Sequence, residues 1–132
     1  MSPEEFKRRT FDYGVRAVRL VRALPKDEAG RDLGRQLLRC ATSVGANYRA
    51  AARARSRADF VAKLGIVEEE CDESLFWIEM LIELGLVKEK RVSPLHAEGA
   101  EILAMEVSSI STARPRPKSL RVRKKSHRKS LP

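Results

Sequence analysis

The sequence predicts an all-α fold, an antiparallel up-down four-helix bundle over residues 1–113 with a basic tail over residues 114–132. Apolar residues recur at intervals of three and four in four successive segments, the spacing of one buried helix face. Capping residues, prolines or glycines separate these segments. After Ala113 the pattern gives way to prolines, serines and basic residues with too few apolar side chains to form a core. We therefore expect a disordered tail.

The first predicted helix begins after Ser2 and ends near Leu24. Ser2 is a typical N-cap, a proline follows it at the first helical position, and Glu5 occupies the capping-box position. Gly14 weakens the helix, which indicates a close approach of another helix at that point. Four apolar residues at helical spacing form the predicted buried stripe: Phe11, Val15, Val18 and Val21.

The second predicted helix follows a polar link at residues 26–28 and runs to about Ala54. Its predicted buried face is Leu33, Leu37, Ala41, Val44, Tyr48 and Ala51. Small residues, among them Gly45, allow a neighbouring helix to come near. Arginines occupy other faces of this helix and the turn after it: Arg31, Arg35, Arg39, Arg49, Arg53, Arg55 and Arg57.

The third predicted helix runs from about Asp59 to Leu84, after the candidate N-cap Ser56, and stops at Gly85. Its predicted core face is Phe60, Leu64, Val67, Cys71, Leu75, Ile78 and Ile82. Five further large apolar residues fall outside that face: Ile66, Phe76, Trp77, Met80 and Leu84. A monomeric bundle buries one stripe of each helix, so this excess predicts an interface between copies of the chain.

The fourth predicted helix begins at Ser93 and Pro94 and continues to about Ile110. Its apolar face is weaker and consists of Leu95, Ile102, Leu103, Val107 and Ile110. The following residues belong to the tail, where Pro115 and Pro117 stop helix formation.

The net charge of +9 resides in the tail, which carries nine basic residues and no acidic ones. The tail bases are Arg114, Arg116, Lys118, Arg121, Arg123, Lys124, Lys125, Arg128 and Lys129. Such a segment neutralises phosphates, so it predicts contact with RNA or DNA that is largely independent of sequence.

The bundle itself is neutral, because residues 1–57 carry 14 basic and 6 acidic side chains while residues 58–113 carry 4 and 12. Two interpretations of the seven arginines around the second helix remain open. They pair with the acidic half, within the bundle or in a neighbouring subunit. Alternatively, they form a phosphate-binding surface.

No catalytic or metal-binding pattern accompanies these charges. Cys40 and Cys71 lie among apolar residues without a nearby base, which predicts reduced, buried and inert thiols. The Glu-x-x-His step of di-metal bundles is missing, and so is a glycine-rich phosphate loop. We expect no enzyme activity, no cofactor and no metal. The lack of a long apolar stretch or an export signal predicts a cytoplasmic protein with no membrane partner.

Three segments together resemble the four-helix bundle proteins of the 23S rRNA intervening-sequence family: Leu24-Pro25, residues 36–47, and Ser56 with Phe60 and Leu64. The resemblance covers about residues 6–112 and leaves the tail outside. It implies a bacterial antiparallel bundle that assembles into a ring-like homopentamer. A branch of similar fold comprises the accessory proteins of diversity-generating retroelements, which implies contact with nucleic acid and a reverse transcriptase.

The chain departs from the usual family pattern after Asn47. Many members resemble Ile-Ala-Glu-Gly at that place, whereas this chain has Tyr-Arg-Ala-Ala at residues 48–51. A base and helix-forming residues thus replace an acid and a glycine. The turn between the second and third helices is therefore predicted to lie later, near residues 55–57.

Two functional hypotheses follow from the sequence. The first is a non-enzymatic homo-oligomer, pentameric by resemblance, that binds RNA or DNA electrostatically as an accessory to an RNA-handling machine. The second is a protein-interaction scaffold, in which the acidic third helix and its Phe76–Met80 surface receive a protein partner and nucleic acid plays no role.

Overall fold

Four α-helices form the part of the chain that the computed structural model describes, residues 1–113. They are α1 (Pro3–Arg22), α2 (Glu28–Ala52), α3 (Arg57–Glu83) and α4 (Glu89–Ala113). Each helix packs on the next, and a smaller seam between α1 and α4 closes the set. Because the connections are short, neighbouring helices run antiparallel. The predicted four-helix bundle is confirmed, while the predicted disorder of residues 114–132 concerns residues outside the described part.

Local signals in the sequence set several helix ends. The backbone N–H of Glu5 donates to Ser2 Oγ at 3.1 Å, and the backbone N–H of Ser2 donates to the Glu5 carboxylate at 2.7 Å. This is the predicted capping box. Ser56 Oγ accepts from the backbone N–H of Asp59 at 3.0 Å and starts α3. Gly85, with a φ of 72°, follows α3 in the left-handed conformation that favours glycine.

Two helix boundaries differ from the prediction. The turn between α2 and α3 occupies residues 53–56, slightly before the predicted place. The fourth helix begins at Glu89 rather than Ser93, so Pro94 lies inside it. Proline is tolerated near a helix start because the first N–H groups have no intrahelical acceptor, although Pro94 is late enough to remove one bond. The hydroxyl of Ser93 donates to the Glu89 carbonyl at 2.7 Å in the same turn.

The buried face of α1 is rotated relative to the predicted stripe. Phe11 is 50% exposed, while Phe6, Tyr13 and Ala17 enter the core. The polar atom of Tyr13 is satisfied there, because its hydroxyl lies 2.7 Å from Ser74 Oγ across the bundle. A hydroxyl that finds a partner can be buried without penalty. The predicted stripe of α1 is therefore wrong at Phe11, while Val21 packs against the core as predicted.

The core faces of the other helices largely follow the prediction. The main exception lies in α4, where Val107 is exposed and Glu106 is buried in its place. Leu81 is also buried, although it was not part of the predicted face of α3. The predicted residues of α2, α3 and α4 that the structure buries are Leu37, Ala41, Val44, Tyr48, Ala51, Leu64, Val67, Cys71, Leu75, Ile78, Leu95, Ile102 and Ile110.

An arginine holds the α1–α4 seam. Arg9 Nε donates to Glu98 Oε2 at 2.6 Å, Arg9 Nη2 donates to Glu98 Oε1 at 2.9 Å, and the same nitrogen binds Glu101. Arg9 and Glu98 are mostly shielded from solvent, so their attraction is less screened than that of surface pairs. The bonds from Arg9 lower the pKa of the Glu98 carboxyl.

Replacing Arg9 with glutamine should lower the free energy of unfolding by about 2 kcal/mol, because it removes charge-assisted bonds and leaves the mostly shielded Glu98 without a cation. Urea unfolding followed by circular dichroism measures the change. The lowered pKa of Glu98 means that its contribution is present above its ordinary pKa and is lost in acid. Arg8→Gln is the control, since the exposed Arg8–Asp12 pair should contribute less than about 0.5 kcal/mol. Equal effects of the two variants would contradict this account of the seam.

Candidate functional site

One face of α2 carries four arginines, and Arg53, the C-cap residue directly after the helix, adds a fifth. At about 100° per residue, Arg31 and Arg49 point in the same direction, and the other three fall within about 80° of them. A rise of about 1.5 Å per residue spreads the set over roughly 33 Å. Arg55 and Arg57 extend the basic surface through the turn into α3. All seven predicted arginines are exposed.

Few of these arginines pair with acids of the same chain. Arg39 Nη2 lies 3.3 Å from Glu73 Oε2 on α3, and Arg35 Nη1 lies 3.2 Å from Asp32 Oδ1 on its own helix. Within residues 1–113, the remaining five form no salt bridge: Arg31, Arg49, Arg53, Arg55 and Arg57. Most guanidinium groups of this surface thus lack an acidic partner within residues 1–113.

An apolar groove of about 230 Å³ lies open between α1 and α2, beside the arginine face. Two glycines produce it by letting the helix backbones approach: a Cβ atom on Gly45 would lie 3.2 Å from the Thr10 carbonyl, and one on Gly14 would lie 3.4 Å from Thr42. The close approach predicted from these glycines is confirmed. The groove itself was not predicted, because its apolar lining was assigned to the core: Phe11, Val15 and Val18.

The outer surface of α3 is apolar and flanked by carboxylates. Phe76 is 50% exposed, and its ring meets that of Trp77 edge-on with centroids 4.9 Å apart. The indole N–H of Trp77 donates to Glu73 Oε2 at 3.3 Å. Ile66 and Leu84 are also exposed, whereas Trp77 and Met80 are half-buried. The expected excess of exposed apolar residues is present, and the interface between copies stays a prediction.

A comparison with known protein families assigns the chain to one of them. The family model described as 23S rRNA-intervening sequence protein matches residues 5–108, a range that holds nearly all of the four helices. The chain belongs to this family. The tail lies outside the matched residues.

A solved member of similar fold is the crystal structure, at 1.70 Å resolution, of a protein of unknown function from the S23 ribosomal protein family of Bacteroides thetaiotaomicron. It is 32% identical to this chain, with a TM-score of 0.78, and the match covers 84% of this chain and 99% of that chain. No curated protein matches the chain.

The two thiols are buried, as predicted. Cys40 and Cys71 form no disulfide, and burial raises the pKa of each thiol to about 12. Such thiols stay protonated at neutral pH and are poor nucleophiles. In residues 1–113 no three acidic, histidine or cysteine side chains gather as metal ligands. None of the four helices combines the length and hydropathy that a membrane span requires.

Sequence reasoning missed one titratable group, Glu106 on α4. Its side chain is fully buried, and neither carboxylate oxygen has a hydrogen-bond partner in the described part of the chain. Burial, together with the nearby Glu68 carboxylate, raises the pKa of Glu106 to about 8. The available signal was its spacing, since Glu106 continues the buried series Leu95, Gly99 and Ile102 in steps of four, three and four.

Proposed function

We propose that this family member is a non-enzymatic, cytoplasmic homo-oligomer that binds RNA or DNA electrostatically. The observation that carries the proposal is the α2 arginine face, where most guanidinium groups are exposed and have no acidic partner within residues 1–113. The nine bases that follow α4 in the sequence provide a second cationic segment. Arginines that contact phosphates displace condensed counterions, which favours binding without reading the base sequence.

Charge and shape support an assembly in which copies pack head to tail. The exposed surface of α3 around Phe76 is apolar and acidic, whereas the groove around Phe11 is apolar and lies beside arginines. A contact between two different surfaces repeats around a ring when its rotation closes. The family resemblance implies five copies, so five basic tails would act together and increase avidity.

A salt titration with the full-length protein tests the proposed binding. Fluorescence anisotropy measures its affinity for a mixed-sequence single-stranded RNA of about 20 nucleotides and for a duplex DNA of the same length. We expect binding to both, with the logarithm of the association constant falling by about 0.7 to 0.9 per neutralised phosphate for each tenfold rise in salt. Absence of binding at about 50 mM salt would refute the proposal.

The assembly makes a separate prediction. Replacing Phe76 and Met80 together with glutamate should reduce the mass measured by light scattering, because both charges would be forced into an apolar and already acidic interface. Circular dichroism should show unchanged helicity, since Phe76 is exposed and Met80 half-buried in one chain. Val107→Glu, at a similarly exposed apolar position on α4, is the control and should retain the mass. An unchanged mass for the double variant would remove these residues from the interface.

The second candidate function, a protein-interaction scaffold, is favoured by the same α3 surface. An exposed Phe76 ring packed on Trp77 and bordered by Glu73 is the kind of patch that protein partners cover. The two candidates differ in their response to nucleic acid. If the protein forms a homo-oligomer but binds neither RNA nor DNA in the anisotropy titration, the result would favour the protein-interaction scaffold.

A further inference from the structure

Glu106 belongs to the second half of α4, and its carboxyl group is buried in the core. Its side chain has 0% exposure, and both oxygens lack a hydrogen-bond partner in residues 1–113. A neutral carboxyl in such a place loses hydrogen bonds to water, whereas a carboxylate also loses the far larger hydration energy of a full charge. The site therefore accepts Glu106 as a neutral acid and disfavours its ionised form.

Within residues 1–113, the groups around Glu106 offer no free cation. Helix α3 contributes the Glu68 carboxylate and the Cys71 thiol, and α2 contributes the phenol of Tyr48. On α1, Arg9 contacts Met105, the residue before Glu106, and its guanidinium is already bound to two carboxylates of α4 nearer the start of that helix. Ionised Glu106 would thus face like charge from Glu68 without compensation.

The helix that carries Glu106 is held on fewer sides than α2 or α3. Helix α4 packs on α3 and meets α1 only along the smaller seam. Pro94 removes one backbone hydrogen bond from its first half, and Val107, directly after Glu106, is 47% exposed. An unfavourable charge under α4 can therefore be relieved by moving α4 rather than by unfolding the bundle.

We propose that Glu106 is a proton-dependent latch: the neutral carboxyl keeps α4 docked on α3 from Gly99 onward, and loss of its proton to solvent releases that segment from α3. Release hydrates the carboxylate and uncovers the apolar surface around Tyr48 and Cys71. The pKa of about 8 places the change just above neutral pH. Because the unfolded group titrates near its ordinary value of 4.5, folding stability is greatest below that pH and declines as the pH rises through 8.

The two thiols provide a readout that separates release of α4 from global unfolding. The Cys71 thiol donates to the Gly99 carbonyl of α4 at 3.3 Å, so α4 covers it. The Cys40 thiol donates to the Gln36 carbonyl of its own helix at 3.1 Å and serves as the internal reference. Burial raises the pKa of both thiols to about 12, so each is alkylated only when it becomes exposed. In the exposed state neither thiol keeps that shift, and the ratio of the two rates therefore largely cancels the general effect of pH on thiol reactivity.

The test measures iodoacetamide labelling of Cys71 and Cys40 by mass spectrometry in the full-length protein between pH 6 and 9. The ionised fraction of a group with a pKa of about 8 rises from about 10% at pH 7 to about 90% at pH 9, so the Cys71:Cys40 ratio should increase about ninefold over that range. Glu106→Gln, which cannot ionise, should give a constant ratio. The exposed carboxylate of α3 supplies the control Glu69→Gln, which should retain the increase.

Two results would overturn the latch. One is a constant ratio in the natural sequence, and the other is the same increase in Glu106→Gln. If Glu106→Gln does not fold, the variant Glu68→Gln provides the test instead. Removing the like charge lowers the pKa of Glu106, so the pH at which the Cys71:Cys40 ratio reaches half of its increase should become lower. A midpoint that does not move would then overturn the proposal.

Discussion

Replacing the nine tail bases with glutamine in the full-length chain is expected to remove most of its affinity for RNA and DNA. A protein that neutralises about six to ten phosphates loses roughly 10³ to 10⁵ in affinity between 50 and 200 mM salt. If the tail supplies most of these contacts, the variant should bind far more weakly at 50 mM salt and show a much shallower salt dependence. Fluorescence anisotropy on the same RNA and DNA measures both quantities.

The matched variant places glutamine at the seven exposed arginines of α2 and the turn after it. It removes nearly as many charges as the tail variant but leaves residues 114–132 unchanged. We expect a smaller loss of affinity, because Arg35 and Arg39 already have acidic partners in the chain, whereas the tail carries nine basic residues and no acidic ones. A larger loss in this variant than in the tail variant would assign the binding to the bundle instead.

Gly99→Val is expected to lower the free energy of unfolding by about 2 to 4 kcal/mol. A Cβ atom at Gly99 would lie 2.6 Å from Tyr13 Oη and 2.8 Å from Leu75 Cδ2. Tyr13 cannot move without breaking its hydrogen bond to Ser74, since it is fully buried. Overpacking costs about 1 to 3 kcal/mol, and loss of a buried hydrogen bond adds about 1 kcal/mol. Urea unfolding of the purified variant measures the sum.

A second glycine provides the control for this prediction. Gly65 lies in α3, and a Cβ atom there would meet nothing within 4 Å, so Gly65→Ala should stabilise the chain by about 0.5 to 1 kcal/mol. Removing the hydroxyl with Tyr13→Phe should reduce the cost of Gly99→Val, giving a non-additive double-mutant cycle. Additive effects would show that the contact with Tyr13 is not the cause.

Features set by nearby residues could be predicted from the sequence. The capping box of Ser2, the N-cap Ser56 and the stop at Gly85 each depend on atoms within a few positions along the chain. The apolar spacing of α2 and α3 is strong because many large side chains repeat on one face. These signals, with the family motif around residues 41–47, were sufficient for the four-helix bundle.

Features set by distant partners could not be predicted in the same way. The rotation of α1 depends on Tyr13 meeting Ser74, a residue on another helix. Hydrophobicity alone places Phe11 inside and the Tyr13 hydroxyl outside, and the structure has the reverse. Glu106 was missed for the same reason, because a carboxylate in a stripe of apolar residues is normally assigned to solvent.

The free or paired state of the arginines also depends on long-range geometry. Counting charges showed a basic half and an acidic half, but the count does not reveal distances. The structure shows that Arg39 reaches Glu73 while five of the seven predicted arginines find no acid within residues 1–113. The proposed nucleic-acid surface is therefore defined by the arginines that lack an acidic partner within residues 1–113.

The order in which the helices pack has a consequence for folding. Each helix rests mainly on its neighbour in the chain, so most native contacts can form while the ribosome is still extending the polypeptide. Such topologies fold quickly, because little loop-closure entropy must be overcome before contacts form. The bond between Arg9 and Glu98 is different, since it joins residues near the two ends of the described chain. The α1–α4 seam is therefore the part of the bundle whose formation must wait until synthesis has passed α4.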